Sequence, residues 1–286
     1  MNQKNGRTDP GPLRERARSL FISKATIDET LEWATPRQLD AIDRMLATEL
    51  ANREASKRAR LMRQARFPVP KSLDGYDFAN VRLPDGYTKE QLTGLDFAAK
   101  AQDLVFYGKT GRGKTHLATA LGMLAIEQGR SVRFRQTAEL VLQLGKAKRD
   151  GALDSPLRDL ARADLIILDE FGYAPVRLDG ARLLYQIIAG SYERRSIIFT
   201  TNIEFSKWGT IFADDKLAAA IIDRIVHHGR LIEFTGPSRR VSQALMFGKT
   251  DNQQNKPPAG TPHAENRKKL VTKRGRRRCI GRAACR

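Results

Sequence analysis

Gly108-Lys109-Thr110-Gly111-Arg112-Gly113-Lys114-Thr115 follows the apolar run Leu104-Val105-Phe106-Tyr107 and leads into the helix-like Thr115-His116-Leu117-Ala118-Thr119-Ala120-Leu121. The octet reads G-x-x-x-x-G-K-[ST] between an expected strand and an expected helix. In that setting a glycine-rich turn is a phosphate cradle. Small residues let backbone N–H groups turn onto an anion, and the start of the next helix adds partial positive charge. Residues 108–115 are thus expected to hold the phosphates of a nucleotide, with Lys114 at the β- and γ-phosphates and Thr115 on Mg2+.

Outward from the octet, strand-like and helix-like stretches alternate across 71–248. The strands expected are 104–107, 131–135, 164–168, 196–200 and 231–234. Helices are expected near 114–128, 137–148, 156–162, 179–193 and 214–227. Alternation of this kind predicts an α/β fold, a five-stranded parallel sheet with helices on both faces. The run 164–168 is apolar on both faces after Asp164, as an interior strand requires.

Leu165-Ile166-Ile167-Leu168-Asp169-Glu170 is an apolar strand ending in two acids. At a strand tip beside the cradle, Asp169 fits a carboxylate that holds Mg2+, and Glu170 one that polarises a water for in-line attack. A small-molecule kinase transfers to a substrate hydroxyl and does not need that second acid. Asn202 closes the fourth strand, where a neutral amide can orient the attacking water without adding charge. Arg224, in Ala219-Ala220-Ile221-Ile222-Asp223-Arg224-Ile225, is either a helix-surface partner or a cation presented to a neighbouring subunit. Ser238-Arg239-Arg240 offers a second cation in cis. His116, His227 and His228 have no metal-ligand spacing and read as structural or surface residues.

The 286 residues carry a net charge of +19. Residues 1–70 hold 14 Lys+Arg against 9 Asp+Glu, residues 71–248 hold 25 against 21, and residues 249–286 hold 12 against 2. The middle is close to balanced and the ends carry the basicity, which favours a polyanion such as DNA. Residues 1–12 are expected to be unstructured and 13–66 helical throughout. Thr35-Pro36-Arg37-Gln38 marks a helix start, and Leu39, Ile42, Leu46 and Leu50 recur at helical spacing. Beyond Leu50, Arg53, Lys57 and Arg60 share one face that can track a phosphate backbone. Residues 13–70 are therefore expected to form a helical domain that binds DNA or a partner, and 71–248 the nucleotide domain. Residues 249–286 cannot bury a core and are expected to be disordered. They are either a basic DNA-binding tail or coding beyond a displaced stop codon. No apolar run approaches membrane-spanning length and no secretory signal opens the chain. Cys279 and Cys285 alone suggest no disulfide framework, which fits a reducing cytoplasm.

Four segments in order, GKTGRGKTHLATALG (108–122), ADLIILDEFGY (163–173), SYERRSIIFTTNIEFSKWG (191–209) and AAAIIDRIVHHGRLIEF (218–234), resemble the IstB family. These are helper ATPases of bacterial insertion-sequence transposition, a branch of the AAA+ ATPases similar to DnaC-type helicase loaders. The resemblance covers about residues 13–247. It implies an AAA+ ATPase that forms an ATP-dependent homo-oligomer on duplex DNA and works with the transposase of its own element. It implies Lys114 and Thr115 as Walker A, Asp169 and Glu170 as Walker B, Asn202 as sensor 1 and Arg224 as arginine finger. Arg240 takes the sensor 2 place; the family commonly has Ser-Tyr-Arg where this chain has Ser238-Arg239-Arg240. In such an assembly Lys146, Lys148 and Arg149, with Arg194-Arg195, would line a DNA-facing surface. The rival expectations are a DnaC-like replicative helicase loader, a P-loop small-molecule kinase, and a DNA-binding adaptor that binds ATP but hardly hydrolyses it.

Overall fold

The computed structural model describes residues 11–238 apart from Pro175 and Ala213. All of these fall in the first of the two units, Met1–Gln243 and Ala244–Arg286, into which the chain divides. The expectations for residues 1–10, for Arg239 and Arg240, and for the tail from 249 lie outside the described residues.

Three helices come first: α1 (Gly11–Ser19), α2 (Lys24–Trp33) and α3 (Pro36–Ala65). The expectation of helix throughout 13–66 is corrected at two breaks. Phe21 takes a left-handed φ of 63° and ends the first segment, and Ser23 then caps α2 by accepting the Thr26 N–H at 3.2 Å. The second break precedes Pro36, whose ring holds Thr35 extended at ψ 159°. Gly11 and Pro12, expected to be unstructured, form the first turn of α1, where a proline costs no hydrogen bond. At the start of α3 the Gln38 side-chain oxygen accepts the Thr35 N–H at 2.8 Å. The helix ends where Arg66 turns left-handed at φ 59°, just before Phe67-Pro68.

The N-terminal half of α3 packs on its predecessors through Leu13, Ala17, Ile27 and Leu46. The C-terminal half exposes Arg53, Lys57 and Arg60 but buries Leu61 and Ala65 against the sheet. One helix thus belongs to two cores.

The sheet has six strands where five were expected: β1 (Val81–Arg82), β2 (Asp103–Tyr107), β3 (Val132–Gln136), β4 (Leu165–Asp169), β5 (Ser196–Thr201) and β6 (Gly229–Phe234), ordered β1-β6-β2-β5-β4-β3. The five expected strands are parallel to one another. The sixth, β1, is a two-residue antiparallel edge on β6, too short to leave a periodic signal in the sequence. Side chains alternate between two cores. Leu104, Phe106, Leu165, Ile167, Ile198 and Ile232 face one, while Val105, Ile166, Leu168, Ile197 and Phe199 face the other. This double burial is why the interior runs 104–107, 165–168 and 197–199 read as unbroken apolar stretches, whereas β3 and β6 carry charged residues between their apolar ones.

Between the strands lie α4 (Lys89–Thr93), α5 (Asp96–Ala99), α6 (Lys114–Glu127), α7 (Thr137–Arg149), α8 (Asp154–Ala161), α9 (Leu178–Ser191), a 3-10 turn at Phe205–Ile211 and α10 (Asp215–His228). From β2 the chain crosses to β3 at one edge, and from β5 it crosses to β6 on the other side of β2. Connections diverge at the C-terminal ends of β2 and β5, and such a divergence opens a crevice. At the opposite end of β2, Asp103 is buried with its carboxylate accepting the Ile197 N–H at 2.7 Å. Burial pushes this carboxyl up to about 7, against the pull of the Ile197 bond and of His228. No helix among the described residues is long and apolar enough to cross a membrane.

Candidate nucleotide site

The crevice is a cleft of about 800 Å³, within the size range of small-molecule sites. Its floor is the turn from β2 into α6. Gly108 (φ 152°), Gly111 (φ 82°) and Gly113 (φ 96°) give this turn its course. A Cβ on Gly108 would sit 2.4 Å from the Phe234 carbonyl oxygen, so only glycine lets the turn lie against the end of β6. Arg112 ties the same turn down by donating to that carbonyl at 2.8 Å. Lys109 and Thr110 are exposed, and Thr110 is among the residues that line the cleft.

Lys114 begins α6 and is largely buried. Its ammonium donates to the Gly108 carbonyl at 2.6 Å and the Lys109 carbonyl at 3.0 Å, which folds it back over its own loop. Thr115 donates to Asp169 Oδ1 at 2.8 Å, so α6 and the tip of β4 meet through these two side chains. Asp169 is buried, at 4% exposure, and the Thr137 hydroxyl holds its backbone carbonyl at 2.8 Å. Glu170 is exposed at the cleft wall with a left-handed φ of 55°. Asn202, one residue beyond β5, lines the same wall.

The structure therefore brings together the octet, Asp169, Glu170 and Asn202. It does not bring Arg224 to them. That residue sits on α10, donates to the Ala220 carbonyl at 2.9 Å and lies 5.0 Å over the Tyr185 ring. Arg240, also expected at the nucleotide, is outside the described residues. Lys146, Lys148 and Arg149 are exposed in the last turn of α7, with Lys148 3.2 Å from Asp179.

Sequence reasoning missed the second wall, the segment between α3 and β1. Pro68, Val69, Lys71, Asp74, Gly75 and Tyr76 line it. The Tyr76 hydroxyl donates to the Gly113 carbonyl at 3.4 Å, and its ring lies 5.1 Å from that of His116. His116, expected to be a structural or surface residue, lines the cleft and is held to the Ser72 carbonyl at 3.0 Å. Nothing in the periodicity of 67–78 marks it, since its order comes from the turn it folds over.

The cradle fits a triphosphate with Mg2+. It has glycines where a side chain would fill the space, a buried ammonium at the base of a 14-residue helix, and a hydroxyl-carboxylate pair of hard oxygen donors.

The model of the family described as IstB-like ATP binding protein matches residues 23–246. The chain belongs to this family. Among its relatives, a protein named for ATP binding in insertion sequence IS21 of Pseudomonas aeruginosa is 37% identical over 187 residues, 65% of this chain and 71% of that one. Another, named for ATP binding in insertion sequence IS5376 of Geobacillus stearothermophilus, is 34% identical over 203 residues, 71% of this chain and 81% of that one. Among solved structures, DnaI is similar with a TM-score of 0.50 at 23% identity, over 62% of this chain and 100% of that one. This last likeness is one of fold. The four segments that carry the resemblance, 108–122, 163–173, 191–209 and 218–234, all lie within the matched span of this IstB-like chain.

Proposed function

We propose that this IstB-like protein binds and hydrolyses ATP with Mg2+, assembles on duplex DNA as an ATP-dependent homo-oligomer, and works with the transposase of the same insertion sequence. The observation that carries the reading is the meeting of Thr115 and Asp169 at 2.8 Å beneath the glycine cradle, with Glu170 beside them on the cleft wall. Family membership and relatives named for insertion sequences support the setting.

In this reading Lys114 leaves its own loop carbonyls to hold the β- and γ-phosphates. Thr115 and Asp169 hold Mg2+, which neutralises phosphate charge as a Lewis acid when bound. Glu170 takes a proton from the attacking water, and Asn202 orients that water. Arg224, remote from its own cleft, serves the cleft of a neighbouring subunit, while Arg240 serves its own. The exposed Arg53, Lys57 and Arg60 on α3, and Lys146, Lys148 and Arg149 on α7, contact DNA phosphates. Residues 13–70 are the DNA- or partner-binding part, 71–248 the ATPase part, and residues from 249 are dispensable for turnover.

The test is ATP turnover by the full chain with and without duplex DNA, beside sizing with and without nucleotide. Duplex-stimulated turnover and nucleotide-dependent growth in size are expected. Lys114→Ala should lower Mg·ATP affinity at least about tenfold, as loss of a charge-assisted phosphate hydrogen bond requires. Wild-type affinity in that variant, or a wild-type chain that neither binds nor cleaves ATP, overturns the reading.

A further inference from the structure

Thr200 lies at the end of β5 and is 1% exposed. Its neighbours Ile197, Ile198 and Phe199 fill the two cores, whereas Thr200 turns a hydroxyl toward the end of β4. The hydroxyl oxygen is 2.5 Å from Asp169 Oδ1 and 3.0 Å from the Glu170 nitrogen. The direction of both bonds is fixed by chemistry. A backbone N–H can only donate, so Thr200 Oγ1 accepts from Glu170 and its single proton goes to Asp169. The Thr200 carbonyl in turn accepts the Phe171 N–H at 2.7 Å. The paired register of β4 and β5 stops at Leu168 and Phe199, and the side chain of Thr200 continues it to the two acids.

We propose that Thr200 is a positioning residue whose hydroxyl sets the Asp169 carboxylate and the Glu170 backbone for Mg2+ and water. The proposal rests on the ATPase reading above. Two hydroxyls reach Asp169 Oδ1, but they are not equivalent. Thr115 stands on the nucleotide helix and takes up Mg2+ in that reading. Thr200 stands on a strand at the cleft lining, and its hydroxyl bonds go to the two acids. Its acceptor lone pair also stabilises Glu170 in a left-handed conformation that a residue with a side chain rarely adopts. Loss of the hydroxyl with retention of shape therefore disturbs both carboxylates at once and leaves the phosphate cradle alone.

The experiment compares Thr200→Val, nearly the same shape without the hydroxyl, with Thr200→Ser, which keeps it. Binding of a fluorescent ATP analogue is measured in EDTA and across a Mg2+ titration, together with kcat and KM. For Thr200→Val the expected results are unchanged binding in EDTA, a higher Mg2+ concentration at half effect, and kcat lower by roughly 10- to 100-fold with KM little moved. Thr200→Ser should restore kcat to within about threefold, since it makes the same two hydrogen bonds. Should Thr200→Val fail to fold, Thr200→Ala replaces it in the same comparison with Ser. Wild-type Mg2+ dependence and kcat in the hydroxyl-free variant overturn the proposal, as does equal loss in both variants or loss of binding in EDTA as well. A wild-type chain without Mg·ATP turnover would instead sink the ATPase reading itself.

Discussion

Glu170 bears a side chain at φ 55°, a conformation that costs roughly 1–3 kcal/mol unless its surroundings enforce it. The enforcing hydrogen bonds come from β5, and their effect is to turn the carboxylate away from the strand toward the cleft. Glu170→Gln keeps the side-chain size and removes the carboxylate proposed as the base. Turnover should fall at least about 100-fold with Mg·ATP affinity within about threefold of wild type, and the protein should accumulate on DNA in its ATP-bound form. Single-turnover hydrolysis beside filter binding of the nucleotide checks this. Asp103 bears on stability instead. Its carboxyl is raised to about 7 by burial, so between the unfolded value near 4 and about 7 the native state binds more protons than the unfolded chain. Stability should therefore drop as pH rises through that window, by up to about 1.4 kcal/mol per unit, and level off above it. Asp103→Asn can still accept the Ile197 N–H and should flatten the slope. Urea midpoints from pH 5 to 8 for the two proteins decide between these outcomes. At this scale the octet and Asp169-Glu170 were legible because a strand tip followed by glycine, lysine or acid is a local pattern. Tyr76 and Thr200 were not. Each gains its meaning from a partner far along the chain, Gly113 for the first and Asp169 for the second.

The elements differ in how plainly the sequence announces them, for physical reasons. The interior strands β2, β4 and β5 carry apolar runs that both cores demand, so their positions are visible in composition. The N-terminal helices are separated by short turns, and the cause of the first, a left-handed phenylalanine, has no sequence signature. Strand β1 is too short for any period. Its brevity suits an edge, since two residues offer little to a foreign strand. The other edge, β3, is guarded by charge: Arg133 and Arg135 both reach Asp159 on α8, and charges set inward on an edge resist sheet extension. On α3 the basic residues are exposed, and Arg53 pairs with a helical neighbour, Glu49, at 2.7 Å. Such a pair contributes little to stability in water. Replacing Arg53, Lys57 and Arg60 together by alanine should leave ATP binding and the thermal midpoint nearly unchanged. It should weaken duplex binding at low salt and flatten the slope of log affinity against log salt by about 0.9 for each phosphate no longer neutralised. A salt slope equal to wild type would remove α3 from the DNA surface.

At the scale of the whole molecule, Arg224 is the group that a single chain leaves unexplained. It lies over Tyr185, apart from the residues lining its own cleft, so the role proposed for it in hydrolysis requires a second copy. Arg224→Ala and Asp169→Ala should each be nearly inactive. Mixed together they should recover turnover that neither has alone, because some interfaces then pair an intact cleft with an intact arginine. A mixture as inactive as its parts would deny Arg224 a role in trans. The family and the fold class could be read from sequence because the four matching segments are contiguous stretches. The placing of Arg224 could not, since it depends on which face of α10 meets α9.

The 30-residue α3 is about 45 Å long at 1.5 Å per residue. It is anchored at one end in the small helical cluster and at the other beneath the sheet. A rod clamped in this way has mechanical advantage. A rotation of about 10° where Leu61 and Ala65 are seated sweeps the opposite tip through roughly 8 Å at that length, more than one base-pair step of duplex DNA. Any tilting of the catalytic body would be delivered to the N-terminal helices as a stroke, with no joint in between to absorb it.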